Sequence, residues 1–261
     1  MRNISKVFAS CRRQGRAALI PYFMAGYPSA DAFCRIVKSS FQAGADIVEI
    51  GIPYSDPVAD GPTIQYAGER ALEQGMSVDR VFGLLRSLHL DNDQPLVLMS
   101  YYNPVLQRGI ESFLTEAADS GVSGLIVPDL VIEEGRKMEA ACREANIDLI
   151  YLVAPSSSVD RQKAIMKRSR GFVYMVSDFG VTGTRKALPG TLVGRVEALK
   201  AMSRMPVAIG FGISSPETAA TAAVTGEQKV ETTDKSAQEQ GGGLPALVTW
   251  LFSGHAAGWQ E

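Results

Sequence analysis

Apolar and polar positions alternate along this chain in blocks rather than residue by residue. Seven short apolar runs recur: Ala18 to Met24, Ile47 to Ile50, Leu96 to Ser100, Gly124 to Val127, Leu149 to Val153, Phe172 to Val176 and Pro206 to Gly210. Each is continuous, as expected of parallel strands buried on both faces. Stretches with helical spacing lie between them. Met138, Ala141, Cys142 and Ala145 fall at i, i+3, i+4 and i+7. Phe113, Ala117 and Ala118 follow part of that pattern, and Val193, Val196, Leu199 and Lys200 trace another stripe. Gly44, Gly121 and Asn146 stand where such helices should stop, since glycine and asparagine accept the left-handed conformation that ends a helix. Seven strand–helix units predict a parallel sheet with outer helices. An eighth unit closes a (β/α)8 TIM barrel, and 261 residues match that fold.

The last unit breaks the pattern. From Glu227 to Gly243 the chain is polar and ends in three glycines, with only Val230 and Ala237 as apolar residues. It reads as a linker rather than a buried strand. Leu244 to Phe252 is apolar again, but it contains Pro245 and runs on to Gly254-His255, and it is read as a terminal helix. The expected organisation is a barrel body over residues 1–226 and an atypical C-terminal segment over 227–261, in the same domain if ordered. Without a regular eighth strand, the edges of the first and seventh strands are expected to stay unpaired.

Charge and cysteine usage narrow the function classes. A formal net charge of -2 leaves no electrostatic footprint for nucleic acid or an anionic membrane. Cys11, Cys34 and Cys142 are far apart and lack metal-ligand spacing, so they read as reduced thiols. No apolar run is long enough to span a bilayer, and Met1 to Arg16 has no signal-peptide core. The expectation is a soluble cytoplasmic protein with no metal site and no nucleotide-binding loop.

Candidate chemistry collects at strand ends. Glu49 lies among Ile47, Val48 and Ile50, where a carboxylate costs several kcal/mol unless it is paired. One reading is a strand-end acid paired with Lys or Arg; the other is a general acid/base facing the mouth of a barrel. A loop with three prolines and the acids Asp56 and Asp60 follows at once, from Ile52 to Pro62. Asp56-Pro57 and Asp60-Gly61 are also ordinary turn pairs. Loops after barrel strands carry function, which raises Asp60. Ser177 to Arg185, after the sixth run, is either a phosphate cradle or a mobile lid. Gly210-Phe211-Gly212-Ile213-Ser214, after the seventh, permits close approach to an anion at a helix N-terminus. Tyr101 and Tyr102 either wall a pocket or pack a strand end. His89 and His255 have no metal-ligand partner at useful spacing and read as structural.

The stretch Glu49 to Gln65 (Glu-Ile-Gly-Ile-Pro-Tyr-Ser-Asp-Pro-Val-Ala-Asp-Gly-Pro-Thr-Ile-Gln) resembles the signature of the tryptophan synthase alpha chain family. Tyr101 to Pro104, Val127 to Leu130, Gly180 to Gly183 and Gly210 to Ser214 fit the same family in order and spacing. The resemblance runs from about Phe8 to about Gly226 and implies a (β/α)8 barrel. It also implies a lyase that cleaves indole-3-glycerol phosphate to indole and glyceraldehyde 3-phosphate without a cofactor of its own. The expected partner is a tryptophan synthase beta chain that carries pyridoxal phosphate, in an alpha2beta2 tetramer. By resemblance, Glu49 is the catalytic acid/base and Asp60 the partner of the indole N–H. Tyr22, Ile64, Ser100 and Ile126 shape the indole pocket, and Tyr174 sits by the glycerol end. Gly183, Gly210, Phe211 and Gly212 line the phosphate pocket, and Thr182 orients Asp60. Pro53, Asp56 and Asn103 face the beta chain. The C-terminus departs from the family, whose apolar eighth strand ends in a Gly-Ser pair at the phosphate. Two readings therefore stand at this point: an active alpha-chain lyase, favoured by the intact acids, and an impaired alpha-like partner or activator of a beta chain, favoured by the altered tail.

Overall fold

Parallel pairing joins the apolar runs in chain order. The structure, a computed structural model, describes residues 4–91, 93–154, 156–176, 190–210 and 247–252. Its strands are β1 (Ala18–Met24), β2 (Val48–Gly51), β3 (Leu96–Met99), β4 (Val122–Ile126), β5 (Asp148–Ile150), β6 (Leu152–Val153), β7 (Val173–Val176), β8 (Val207–Gly210) and β9 (Leu247–Phe252). Its helices are α1 (Ile4–Arg13), α2 (Ala30–Gln42), α3 (Pro62–Glu73), α4 (Val78–Ser87), α5 (Tyr102–Arg108), α6 (Ile110–Asp119), α7 (Arg136–Glu144), α8 (Val159–Arg168) and α9 (Gly190–Met202). Serines 29, 77 and 158 cap α2, α4 and α8 by accepting a backbone N–H three residues on, which satisfies donors that the helix cannot. Gly44, Gly121 and Asn146 take positive φ at 101°, 83° and 57°, as expected of helix stops.

The sheet runs β5-β4-β3-β2-β1-β9-β8-β7-β6. β5 and β6 are consecutive pieces of one segment, so the two ends of this order meet and the sheet curls back on itself. The fifth apolar run thus forms two short strands rather than one. The cause is Tyr151, whose backbone N–H leaves the ladder for the Ser169 hydroxyl at 3.0 Å, while its carbonyl still accepts from Tyr174 N at 3.0 Å. Its side chain points out to the helices. The Tyr151 hydroxyl donates to Glu139 Oε1 at 2.8 Å, and Arg168 Nε donates to the same oxygen at 2.6 Å. A Cβ on Gly135 would lie 1.7 Å from that hydroxyl, so a side chain there has no room.

Helix α1 crosses the strand starts. Ile4, Phe8 and Cys11 are buried, and Phe8 meets the Phe172 ring edge-on at 5.8 Å. Asp46 holds the beginnings of β1 and β2 together: it accepts two bonds from the Arg16 guanidinium at 2.7 Å and one from Leu19 N at 2.8 Å. With this end closed, the strand C-termini form the mouth.

The eighth position in the sheet is filled, and not by the element expected. Leu247 to Phe252 is a strand, not a terminal helix, and it pairs antiparallel with both β1 and β8. The edges of β1 and β8 are therefore paired, against the expectation of open edges. Leu247 lies beside Tyr22 and Phe252 beside Val207, so the start of β9 sits toward the mouth. Residues 227–243, read as a linker, lie outside the described residues. Trp250 pairs with Leu19 on one side and Ile209 on the other. Trp250→Pro removes a ladder donor in the middle of the sheet and should lower stability by about 2 kcal/mol or more in urea unfolding. An unchanged midpoint would place this segment outside the sheet.

Candidate active site

Strand β2 is buried along its whole length, so alternation aims every second side chain into the barrel. Glu49 is one of these, in register with Tyr22 of β1 and Val97 of β3. It is 0% exposed, and neither carboxyl oxygen has a hydrogen-bond partner among the described residues. Among the described residues, then, no Lys or Arg pairs with Glu49, as the reading of a paired structural acid requires. Burial pushes its pKa from 4.5 up to about 8, and the charge of Asp60 adds to the rise. At neutral pH Glu49 carries a proton.

Asp60 ends the loop after β2. Local bonds shape that loop: Val58 N donates to Asp56 O at 2.9 Å, Asp60 N to Pro57 O at 3.0 Å, and Gln65 Nε2 to Asp60 O at 2.9 Å. Gly61 and Pro62 then start α3, with proline preset for the first turn. Asp60 is partly buried, and burial raises its pKa to about 6, against a hydrogen bond from Tyr101 that lowers it. The two carboxyl groups are thus split. Near pH 7 one is mainly neutral and the other mainly an anion.

Tyrosines surround this pair. The Tyr22 hydroxyl sits where Gly51 has no side chain: a Cβ there would be 1.9 Å away. Burial raises the Tyr22 pKa most, followed by Asp60, Glu49, Tyr101 and Tyr174, so these five groups share one polar cluster at the mouth. Tyr174 is 2% exposed on β7. Ser100 is buried just after β3, its hydroxyl donating to Tyr101 O at 3.1 Å and its N–H to Ile126 O at 3.0 Å. Ile64 on α3 and Ile126 at the end of β4 are buried apolar residues. Gly210 ends β8 in register with Val176. Thr182, Gly183, Phe211 and Gly212 lie outside the described residues, as does the expected lid.

At the rim, Asp56 and Asn103 are exposed, whereas Pro53 is buried at the base of its loop. Asn103 Nδ2 donates to the Tyr54 hydroxyl at 3.0 Å, tying the first turn of α5 to the loop after β2. Val58 on the loop after β2, Leu106 on α5 and Val131 on the loop after β4 leave apolar surface exposed. Among the described residues no group of three or more His, Cys, Asp or Glu stands ready for a metal ion. No described helix is long and apolar enough to cross a membrane. The feature that sequence reasoning left open is Tyr101, a member of the acid cluster rather than strand-end packing alone. The signal was its place directly after β3, one residue from Ser100.

Comparison with known proteins finds close similarity to one family. A family model described as tryptophan synthase alpha chain matches residues 8–243. The chain is 47% identical to the tryptophan synthase alpha chain of Methanosarcina mazei over 220 residues, covering 83% of this chain and 79% of that one. It is 43% identical to that of a Synechocystis strain over 219 residues, covering 84% and 83%. Among solved structures it is similar to Mycobacterium tuberculosis tryptophan synthase, with a TM-score of 0.75, 42% identity and 81% of each chain covered. It is also similar to the alpha subunit from Legionella pneumophila strain Paris, with a TM-score of 0.78, 33% identity, and 85% and 82% covered.

The raised pKa of Glu49 makes stability depend on pH. Below its ordinary value of 4.5 the group is neutral in the folded and the unfolded chain alike. Between there and about 8 only the unfolded chain gives up the proton, so stability falls as pH rises. Each tenfold change in proton affinity is about 1.4 kcal/mol, so the loss levels off at roughly 5 kcal/mol at most. Glu49→Gln removes this dependence. Its stability relative to the parent should rise between pH 5 and pH 8.5, read by urea unfolding. An equal difference at both pH values would show that Glu49 does not hold a proton in the folded state.

Proposed function

The chain belongs to the tryptophan synthase alpha chain family, and from that membership we propose that Glu49 and Asp60 carry its reaction. That reaction is a carbon–carbon lyase step of tryptophan biosynthesis, the retro-aldol cleavage of indole-3-glycerol phosphate to indole and glyceraldehyde 3-phosphate. The observation that carries the assignment is a fully buried carboxyl without a hydrogen-bond partner, next to a second acid of lower pKa.

Indole leaves a carbon centre poorly until its C3 is protonated. Glu49, neutral near pH 7, gives its proton to C3. Positive charge then develops on the indole nitrogen, where the Asp60 carboxylate faces the N–H and stabilises it. The Glu49 carboxylate takes the proton of the glycerol hydroxyl next to the ring. That electron pair forms the aldehyde, the C–C bond breaks, and its electrons return to the indole ring. Glu49 ends protonated, as it began, and the two acids need neither a metal nor an organic cofactor. Tyr22, Ile64, Ser100 and Ile126 wall the indole ring, with Tyr174 at the glycerol end. Gly183, Gly210, Phe211 and Gly212 hold the phosphate, and Thr182 orients Asp60 from the lid.

Exposed Asp56 and Asn103, with apolar Val58, Leu106 and Val131 around them, suit docking of a beta chain against the mouth. Pro53 supports that rim from beneath. An alpha2beta2 assembly would pass indole straight to the pyridoxal-phosphate site of the partner. A specific observation favours lowered activity as the second reading: β9 is antiparallel, so the mouth receives the start of the eighth strand rather than its end. A barrel phosphate site draws on the end of the eighth strand, and β9 puts its start there instead. On this reading substrate binds weakly, and the protein serves a beta chain mainly as partner or activator.

Turnover of indole-3-glycerol phosphate by the purified chain, with and without a beta chain, separates the two readings. The lyase reading requires indole release that Glu49→Gln lowers by roughly 100-fold or more. Asp60→Asn should lower kcat more than it raises KM, since the charge acts on the developing cation. An effect on KM alone would make Asp60 a binding residue. The catalytically competent pair has Glu49 protonated and Asp60 ionised, so kcat/KM should be bell-shaped, rising near pH 6 and falling near pH 8. A profile flat from pH 5 to 9 would contradict these roles.

A further inference from the structure

The loop that bears Asp60 has exposed residues at Ser55, Asp56, Val58 and Ala59, yet its acid must point with the accuracy that catalysis demands. Two of its groups are cross-linked to Tyr101 and the first turn of α5, just after β3. One is the Tyr54 hydroxyl, which accepts from Asn103 Nδ2 at 3.0 Å. The other is the Ala59 N–H, which donates to the Tyr101 hydroxyl at 2.9 Å. Tyr101 is itself well fixed. It is 4% exposed, its ring packs on Tyr54 with centroids 5.4 Å apart, and its carbonyl accepts the Ser100 hydroxyl. The next residue, Tyr102, donates its N–H to Asp129 Oδ1 at 2.9 Å, anchoring the start of α5 to the loop after β4.

A tyrosine hydroxyl has one proton to donate and two lone pairs to accept with. At Tyr101 a lone pair takes the Ala59 amide, which leaves the proton for the neighbouring Asp60 side chain. We propose that Tyr101 is a positioning residue for Asp60: one hydroxyl holds both the backbone just before the acid and the acid itself, fixing the direction in which the carboxylate faces the indole nitrogen. The proposal rests on the lyase reading, and it gives the loop after β3 a task in the reaction. A hydrogen bond to the charged form also favours that form. The Tyr101 bond lowers the Asp60 pKa against the effect of burial. The described titratable groups around Asp60 are Tyr22 of β1, Glu49 of β2 and Tyr101, with Tyr174 of β7 near Tyr22 and Asp129 near Tyr101. Of these, Tyr101 is the one that pulls the Asp60 pKa down.

Tyr101→Phe removes the hydroxyl and keeps the ring against Tyr54. The variant should lose about 10-fold in kcat while KM stays within about 2-fold, since the contact acts on charge that develops during the reaction. The acid limb of the kcat profile should move to higher pH. Independently of turnover, a ¹³C carboxyl titration should show Asp60 losing its proton at higher pH in Tyr101→Phe than in the parent. An unchanged kcat and acid limb would overturn the proposal. So would a loss of activity with the Asp60 titration unmoved, which is what a merely structural tyrosine gives. If the parent chain releases no indole, the lyase reading fails, and the Asp60 titration alone then decides the part assigned to Tyr101.

Discussion

Glu49 stands in a strand that is buried on both faces, with no hydrogen-bond partner among the described residues for either carboxyl oxygen. Ionising it there is costly, because the low-dielectric interior stabilises charge poorly and Asp60 repels a second negative charge. The site is organised around this constraint. It keeps an acid protonated at neutral pH, and no described neighbour holds that proton in a hydrogen bond. Asp60 differs by degree. It is only partly buried and has a hydroxyl bond, so it gives up its proton about two pH units earlier. Two identical functional groups thus take opposite states because one lies on a strand and the other at the end of a loop.

The scaffold serves this split. The Arg16–Asp46 ion pair and helix α1 close the end of the barrel away from the mouth, so the strands are fixed where no chemistry happens. The strand C-termini, by contrast, carry hydroxyls and acids. Gly51 has no side chain because the Tyr22 hydroxyl occupies that space, which lets a tyrosine stand over the strand that bears Glu49. The loops after β2 and β4 are bonded to Tyr101 and the first turn of α5 through Asn103–Tyr54, Tyr101–Ala59 and Tyr102–Asp129. The exposed rim and the buried acids are therefore parts of one connected array.

Continuous apolar runs made the parallel strands legible, and a lone acid inside one of them made Glu49 legible, because burial physics is written into local sequence. Other features depend on partners far along the chain. Nothing in Leu149 to Val153 shows that Tyr151 gives its N–H to Ser169 and splits the strand. Likewise, 42 residues separate Tyr101 from the amide it holds. The stripe Ile4, Phe8, Cys11 that makes α1 is visible in the sequence as i, i+4, i+7 spacing. The last strand is ambiguous in sequence for a different reason. A short apolar segment fits a helix or a strand by periodicity alone, and the β-formers Val248, Thr249, Trp250 and Phe252 deserved more weight than Pro245. Once paired with β1 and β8, that segment fills the gap in the sheet in the reverse direction.

The central claim is that Glu49 is a neutral carboxylic acid at pH 7. Infrared difference spectroscopy of the parent chain against Glu49→Gln isolates its carbonyl stretch. The account predicts a protonated-acid band at pH 7 that disappears with a midpoint near pH 8. A carboxylate signal at pH 7, with titration near the ordinary value of 4.5, would contradict it.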